Sequence, residues 1–243
     1  MNAIKHASIL SVAVSLLSLP LGAAVQWEKK PHTEWSDKEV QKVLNDSPWA
    51  RTQVFTNPTP LFNQGVTGRQ GAGVPPPPQP AAATHVNFRI RFFSAKPIRQ
   101  AIGRMMELQQ KQPISEELAA HLKSLASGEF LELIVITVSV DSKEVGANVQ
   151  QAASLLRTRG TGELKNSTFI ETRGGHRVFL QEYQPPRADG LGARFIFPRL
   201  VDGEPFITPD SQEIHFVTEL SSDYRLNMRY KIKEMMYEGK LEY

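Results

Sequence analysis

The 243-residue chain contains no cysteine. That absence excludes disulfides, thiolate metal sites, thiol nucleophiles and a lipid-modified N-terminal cysteine. The chain also has no Gly-x-Ser-x-Gly elbow, no His-Glu-x-x-His and no His-x-His, so the local signatures of a serine hydrolase and of a zinc site are missing. An excess of one charge sign is lacking too. Lys and Arg number 28 against 25 Asp and Glu, a formal net charge of +3. Without the first 24 residues only Lys5 is lost, so the balance is closer still, and nucleic-acid binding does not follow from charge. No cofactor-binding motif is present, and no cofactor is expected. The glycines of "GVTGRQGAG" follow no strand and lack the Lys-Ser/Thr ending of a phosphate loop.

Long apolar runs are equally scarce, with one exception at the start. "ASILSVAVSLLSLPL" follows Lys5 and is followed by Gly22-Ala23-Ala24. A basic start, an apolar run and small residues form a signal-peptide pattern, with cleavage expected after Ala24. The competing reading, a membrane anchor, is disfavoured by the shortness of the run and by Pro20. No stable transmembrane span is expected after its removal. Export without disulfides fits a bacterial envelope protein, periplasmic or extracellular.

Residues 25–52 hold all three tryptophans of the chain, Trp27, Trp35 and Trp49. Within this segment Ser36 and Glu39 have capping-box spacing, and Trp35 is placed to staple onto Val40. Val40, Val43 and Leu44 share a face, and Asp46-Ser47-Pro48 ends the helix. A helix of three turns is not stable alone in water, so it must dock. Its partner is either its own domain or a separate envelope protein, with Trp27, Trp35, Val40 and Trp49 as the binding residues. Residues 53–83, rich in Pro, Gly and Ala, read as a flexible linker. Residues 84–243 read as the folded domain.

In that domain "VNFRIRFF" alternates Val86, Phe88, Ile90 and Phe92 against Asn87, Arg89 and Arg91, the period of a half-buried strand. Pro97 opens a helix, Ser115 caps a second, and Asp141 or Ser142 starts a third, which would bury Val145, Val149, Ala152, Ala153 and Leu156. Between the second and third, "FLELIVITVSV" reads as a central strand covered on both sides. The second half reads as strands: residues 163–172 and 176–183 as a hairpin turned at Arg173-Gly174-Gly175, then "ARFIFPRL", "EIHFVTEL" and "RLNMRYKIK". The expected architecture is α+β, a mixed, largely antiparallel sheet packed with three helices and preceded by a short tethered helix. Oligomeric state is not encoded in any pattern visible here.

Three stretches carry a family resemblance: "EWSDKEV…LNDSPWA", "LGARFIFPR" and "KEMMYEGKLEY". Together, in this order, they are similar to a family of uncharacterised exported bacterial proteins loosely grouped with the GWxTD-domain proteins. A Gly-Trp-x-Thr-Asp stretch itself is absent. The resemblance implies export and fold kinship, and no reaction.

Two functional readings follow. The first is a non-catalytic binding or scaffold module of the bacterial envelope that docks through the Trp-flanked helix. Arg89 and Arg91, with Lys96, Arg99 and Arg104 and no acid between them, give it a cationic surface suited to anionic envelope polymers or lipid headgroups. The second is an envelope hydrolase, metal-dependent or not. It would use His176 and Glu182, which share a face of one expected strand, and Glu213 and His215, which share a face of another.

Overall fold

The computed structural model describes residues 26–57, 84–110, 113–142 and 148–243. The expected signal peptide, most of the expected linker (58–83) and Val145 lie outside the described residues.

Helix α1 (Asp37–Asn45) begins on the expected capping box. The Ser36 N–H donates to Glu39 Oε2 at 2.9 Å, and the Glu39 N–H points back to Ser36 Oγ at 3.4 Å. Val40, Val43 and Leu44 are buried, and the helix stops where the Asp46 N–H closes on the Lys42 carbonyl. The chain then enters strand β1 (Ala50–Asn57), which pairs antiparallel with β2 (Thr84–Phe92) along its whole length, from Ala50↔Arg91 to Asn57↔Thr84. This corrects the expected boundary. Residues 53–57 are sheet, not linker, and α1 leads straight into the domain. The local cause is Phe55, whose ring meets Phe88 at 5.4 Å and Tyr224 at 5.2 Å. Such cross-strand and cross-sheet aromatic contacts outweigh the turn-rich composition that follows.

Next come α2 (Lys96–Gln109), α3 (Glu116–Ser127), β3 (Leu133–Asp141), α4 (Asn148–Thr158) and α5 (Thr161–Leu164). The remaining main strands are β4 (Phe169–Thr172), β5 (Arg177–Phe179), β6 (Glu182–Gln184) and β7 (Ala193–Pro198), then β10 (Glu213–Glu219) and β11 (Arg225–Lys231). Between β7 and β10 lies the small hairpin β8 (Leu200–Val201) and β9 (Glu204–Pro205), and a last one follows β11, β12 (Met236–Tyr237) and β13 (Lys240–Leu241). The fold is α+β, as expected. Several expectations change. Residues 163–168, read as strand, hold the end of α5 and a turn, so the domain has a fourth helix beside the expected three and β4 starts only at Phe169. Asp141 ends β3 rather than starting a helix, and α4 begins at Asn148. The mixed single sheet is two sheets, ordered β1-β2-β3-β7-β6 and β11-β10-β4-β5, and every pairing among the described residues is antiparallel.

The two sheets face each other across an aromatic core. Phe92 meets Tyr230 at 4.8 Å, Phe88 meets Tyr224 at 5.3 Å and Phe195 meets Phe216 at 5.4 Å. The edges are joined as well. At one seam the Gln53 amide donates to the Arg225 carbonyl at 3.0 Å and accepts from the Asn227 N–H at 2.9 Å, linking β1 to β11. At the other, the chain passes from one sheet to the other between β5 and β6. The Leu180 N–H bonds the Thr168 carbonyl, just ahead of β4 of the smaller sheet, and the Gln181 N–H bonds Ile196 in the larger. Edges satisfied in this way offer fewer free backbone groups to a foreign strand.

The tryptophans dock in cis. Trp27 lies edge-on to Trp35 at 5.2 Å and to Trp49 at 6.2 Å, and stacks on Tyr237 of the last hairpin at 6.2 Å. The Trp35 indole N–H donates to the Trp27 carbonyl, 2.9 Å, and that of Trp49 to the Glu242 carbonyl, 2.8 Å. The Glu242 carboxylate in turn accepts from the N–H of Lys96 at the start of α2. Residues from opposite ends of the described chain thus form one cluster.

Candidate anion-binding cleft

The alternation read in β2 sends Phe88, Ile90 and Phe92 between the sheets and Asn87, Arg89 and Arg91 to the opposite face. Register places hydroxyls and a carboxylate of β3 beside them: Arg91↔Thr137, Arg89↔Ser139 and Asn87↔Asp141. Above this polar floor lie Gln41, Leu44 and Asn45 of α1, Ile102 and Met105 of α2, and the turn Gly190-Leu191. Together they enclose a cleft of about 280 Å³. Gly192 seats that turn. Its φ is +89°, and a Cβ there would lie 2.4 Å from the Val138 carbonyl oxygen, so only glycine lets the loop approach β3 this closely.

Arg91 spends its donors on neutral groups. Nε donates to the Leu44 carbonyl at 2.6 Å, Nη2 to Asn45 Oδ1 at 3.1 Å and Nη1 to Ser139 Oγ at 3.2 Å. Burial lowers its pKa to about 10, with the Arg89 charge pushing the same way and Asp141 opposing. Arg89 pairs through Nε with Asp141, whose other oxygen accepts from Asn87 at 3.2 Å. Burial alone would raise the Asp141 carboxyl. The hydrogen bonds from Arg89 and Asn87 and the two guanidinium charges outweigh it and hold the group below the usual carboxylate range. One row further on, Arg194 of β7 pairs with Thr137 in register and with Asp189 through its side chain, leaving its Nη1 buried without a hydrogen-bond partner among the described residues. The cleft carries one cation beyond its carboxylate. Such a place suits a bound anion.

The other expected site residues lie elsewhere. Trp27, Trp35, Val40 and Trp49 are at most 2% exposed in the core of their own domain. They are therefore not exposed anchors for a second protein, because their apolar area is already removed from water. His176 is exposed in the turn before β5, and Glu182 is exposed in β6 of the other sheet, so the strand expected to carry both is broken by the crossing at Leu180-Gln181. Glu213 and His215 do share a face, 3.0 Å apart, and Arg229 shares the same Glu213 oxygen at 3.2 Å. The four groups do not converge, and no cluster of three or more metal-ligating side chains occurs among the described residues.

Sequence reasoning picked out Arg89 and Arg91 but missed their surroundings. A readable signal was Thr137-x-Ser139-x-Asp141, polar at alternate positions of an otherwise apolar strand and in phase with the arginine alternation. Asn45 gave no signal, because its role depends on where α1 ends over the sheet. No protein-family model, curated protein or solved structure matches the chain.

Proposed function

We propose that the protein is an exported, non-catalytic binding module of the bacterial cell envelope, and that it binds through the Arg89–Arg91 cleft. In this reading α1 is a wall of the binding site and not a hook for a partner. The observation that carries it is Arg91: a partly buried guanidinium whose hydrogen bonds, among the described residues, all go to neutral acceptors. Desolvating a cation without a directly paired carboxylate is costly, and sites that retain such a cost are candidates for function. The envelope supplies anionic groups on polymers and lipids, and export rests on the leader-like first 24 residues.

The test is retention of the purified chain on anionic envelope material, compared with Arg91→Gln at several salt concentrations. Binding by the native chain should weaken as salt rises and be lost in Arg91→Gln while circular dichroism shows the variant folded. Equal retention of a folded variant would remove the cleft from the reading.

A further inference from the structure

The lining of the cleft is two-sided, and this narrows the ligand beyond the reading above, on which the inference rests. The sheet side presents only polar groups, Arg89, Arg91, Thr137, Ser139 and Asp141, while the helix and loop side adds Leu44, Ile102, Met105 and Leu191 to the polar Gln41 and Asn45. We propose that the cleft takes one small amphipathic carboxylate, an unbranched acid with a short apolar chain, its carboxylate on Arg91 and Ser139 and its chain under α1, α2 and Leu191.

Three features select this class. The first is charge. Arg89 is matched by Asp141, which leaves Arg91 as the unmatched cation of the cleft. A single surplus charge suits a monoanion better than a phosphate dianion. The second is donor geometry. A guanidinium has five N–H groups, and three of those on Arg91 are engaged by Leu44, Ser139 and Asn45. One N–H on Nη1 and one on Nη2 remain, and a carboxylate can accept from either or both. The Ser139 hydroxyl accepts from Arg91 and still has its own hydrogen to donate. The third is size. A space of about 280 Å³ lies just below the ~300–1,000 Å³ of typical small-molecule pockets, so it suits a small ligand. A carboxylate with a short apolar chain is of that size.

Isothermal titration of the folded chain with acetate, butyrate, hexanoate, hexanol and inorganic phosphate tests the inference. Affinity should rise from acetate to hexanoate, and hexanol and phosphate should give no binding. Arg91→Lys, which keeps the charge and loses the fork, should weaken hexanoate at least tenfold. Met105→Ala should reduce the gain from acetate to hexanoate and leave acetate unchanged. If Arg91→Lys does not fold, Ser139→Ala replaces it and should also weaken hexanoate. Phosphate binding as tightly as hexanoate would overturn the inference, as would hexanol binding as well as hexanoate. If no carboxylate binds while Arg91-dependent retention on envelope material persists, the inference falls and the binding module stands. If both are absent, both fall.

Discussion

Arg91 is held where a charge is expensive, and its neighbours explain how the fold tolerates it: a helix-end carbonyl, an amide oxygen and a serine hydroxyl each take one of its N–H groups. Removing those acceptors leaves the cation less well solvated, so Asn45→Leu should cost about 1–3 kcal/mol, read as a lower urea midpoint at unchanged slope. At the edge of the cleft, Gly192 admits no side chain. Gly192→Ala combines a clash with the Val138 backbone and an unfavourable positive φ, and should destabilise by about 2 kcal/mol or more. Glu39 gives a pH signature. Hydrogen bonds from Lys30, then from Ser36, hold its carboxyl at about 2. A carboxyl whose pKa falls on folding binds fewer protons in the folded state, so its contribution is complete above about 4.3, the unfolded value, and is lost as pH falls toward 2. Glu39→Gln should flatten the melting temperature against pH in that window and leave the curve above pH 5 parallel to that of the native chain.

Among the elements, those with local causes were legible in the sequence. The capping box of α1, Pro97 at the start of α2, Ser115 capping α3 and the alternations of β2 and β11 all appear where the residues put them. What was not legible depends on distant partners. Trp49 finds its acceptor in Glu242, 193 residues away, and no pattern around Trp49 encodes that. The strand β1 was hidden because its last residues run into proline-rich sequence, and only Phe88 and Tyr224 give Phe55 a reason to be sheet. The passage of one strand between two sheets at Leu180-Gln181 likewise decides that His176 and Glu182 separate, and spacing along the chain cannot report it. The tryptophan cluster is the element-scale joint between chain ends. Trp49→Ala should therefore cost about 3–5 kcal/mol in chemical denaturation.

For the whole molecule, α1, the two sheets and the final hairpin share one hydrophobic core that runs from Trp27 to Tyr243. The cleft exists because α1 is fixed over β2 by this core, so the binding proposal depends on the N-terminal segment being part of the domain. The placement of the tryptophans makes this directly measurable, since all three lie between residues 27 and 49. Their fluorescence reports on the N-terminal segment and its contacts, while far-ultraviolet circular dichroism reports mainly on the sheets and remaining helices. The decisive measurement is urea unfolding of the native chain followed by both signals. Coincident transitions with one midpoint are expected for a single cooperative unit. A tryptophan transition at lower urea, with the circular dichroism of the sheets intact, would make the segment a detachable appendage and leave the cleft without its wall.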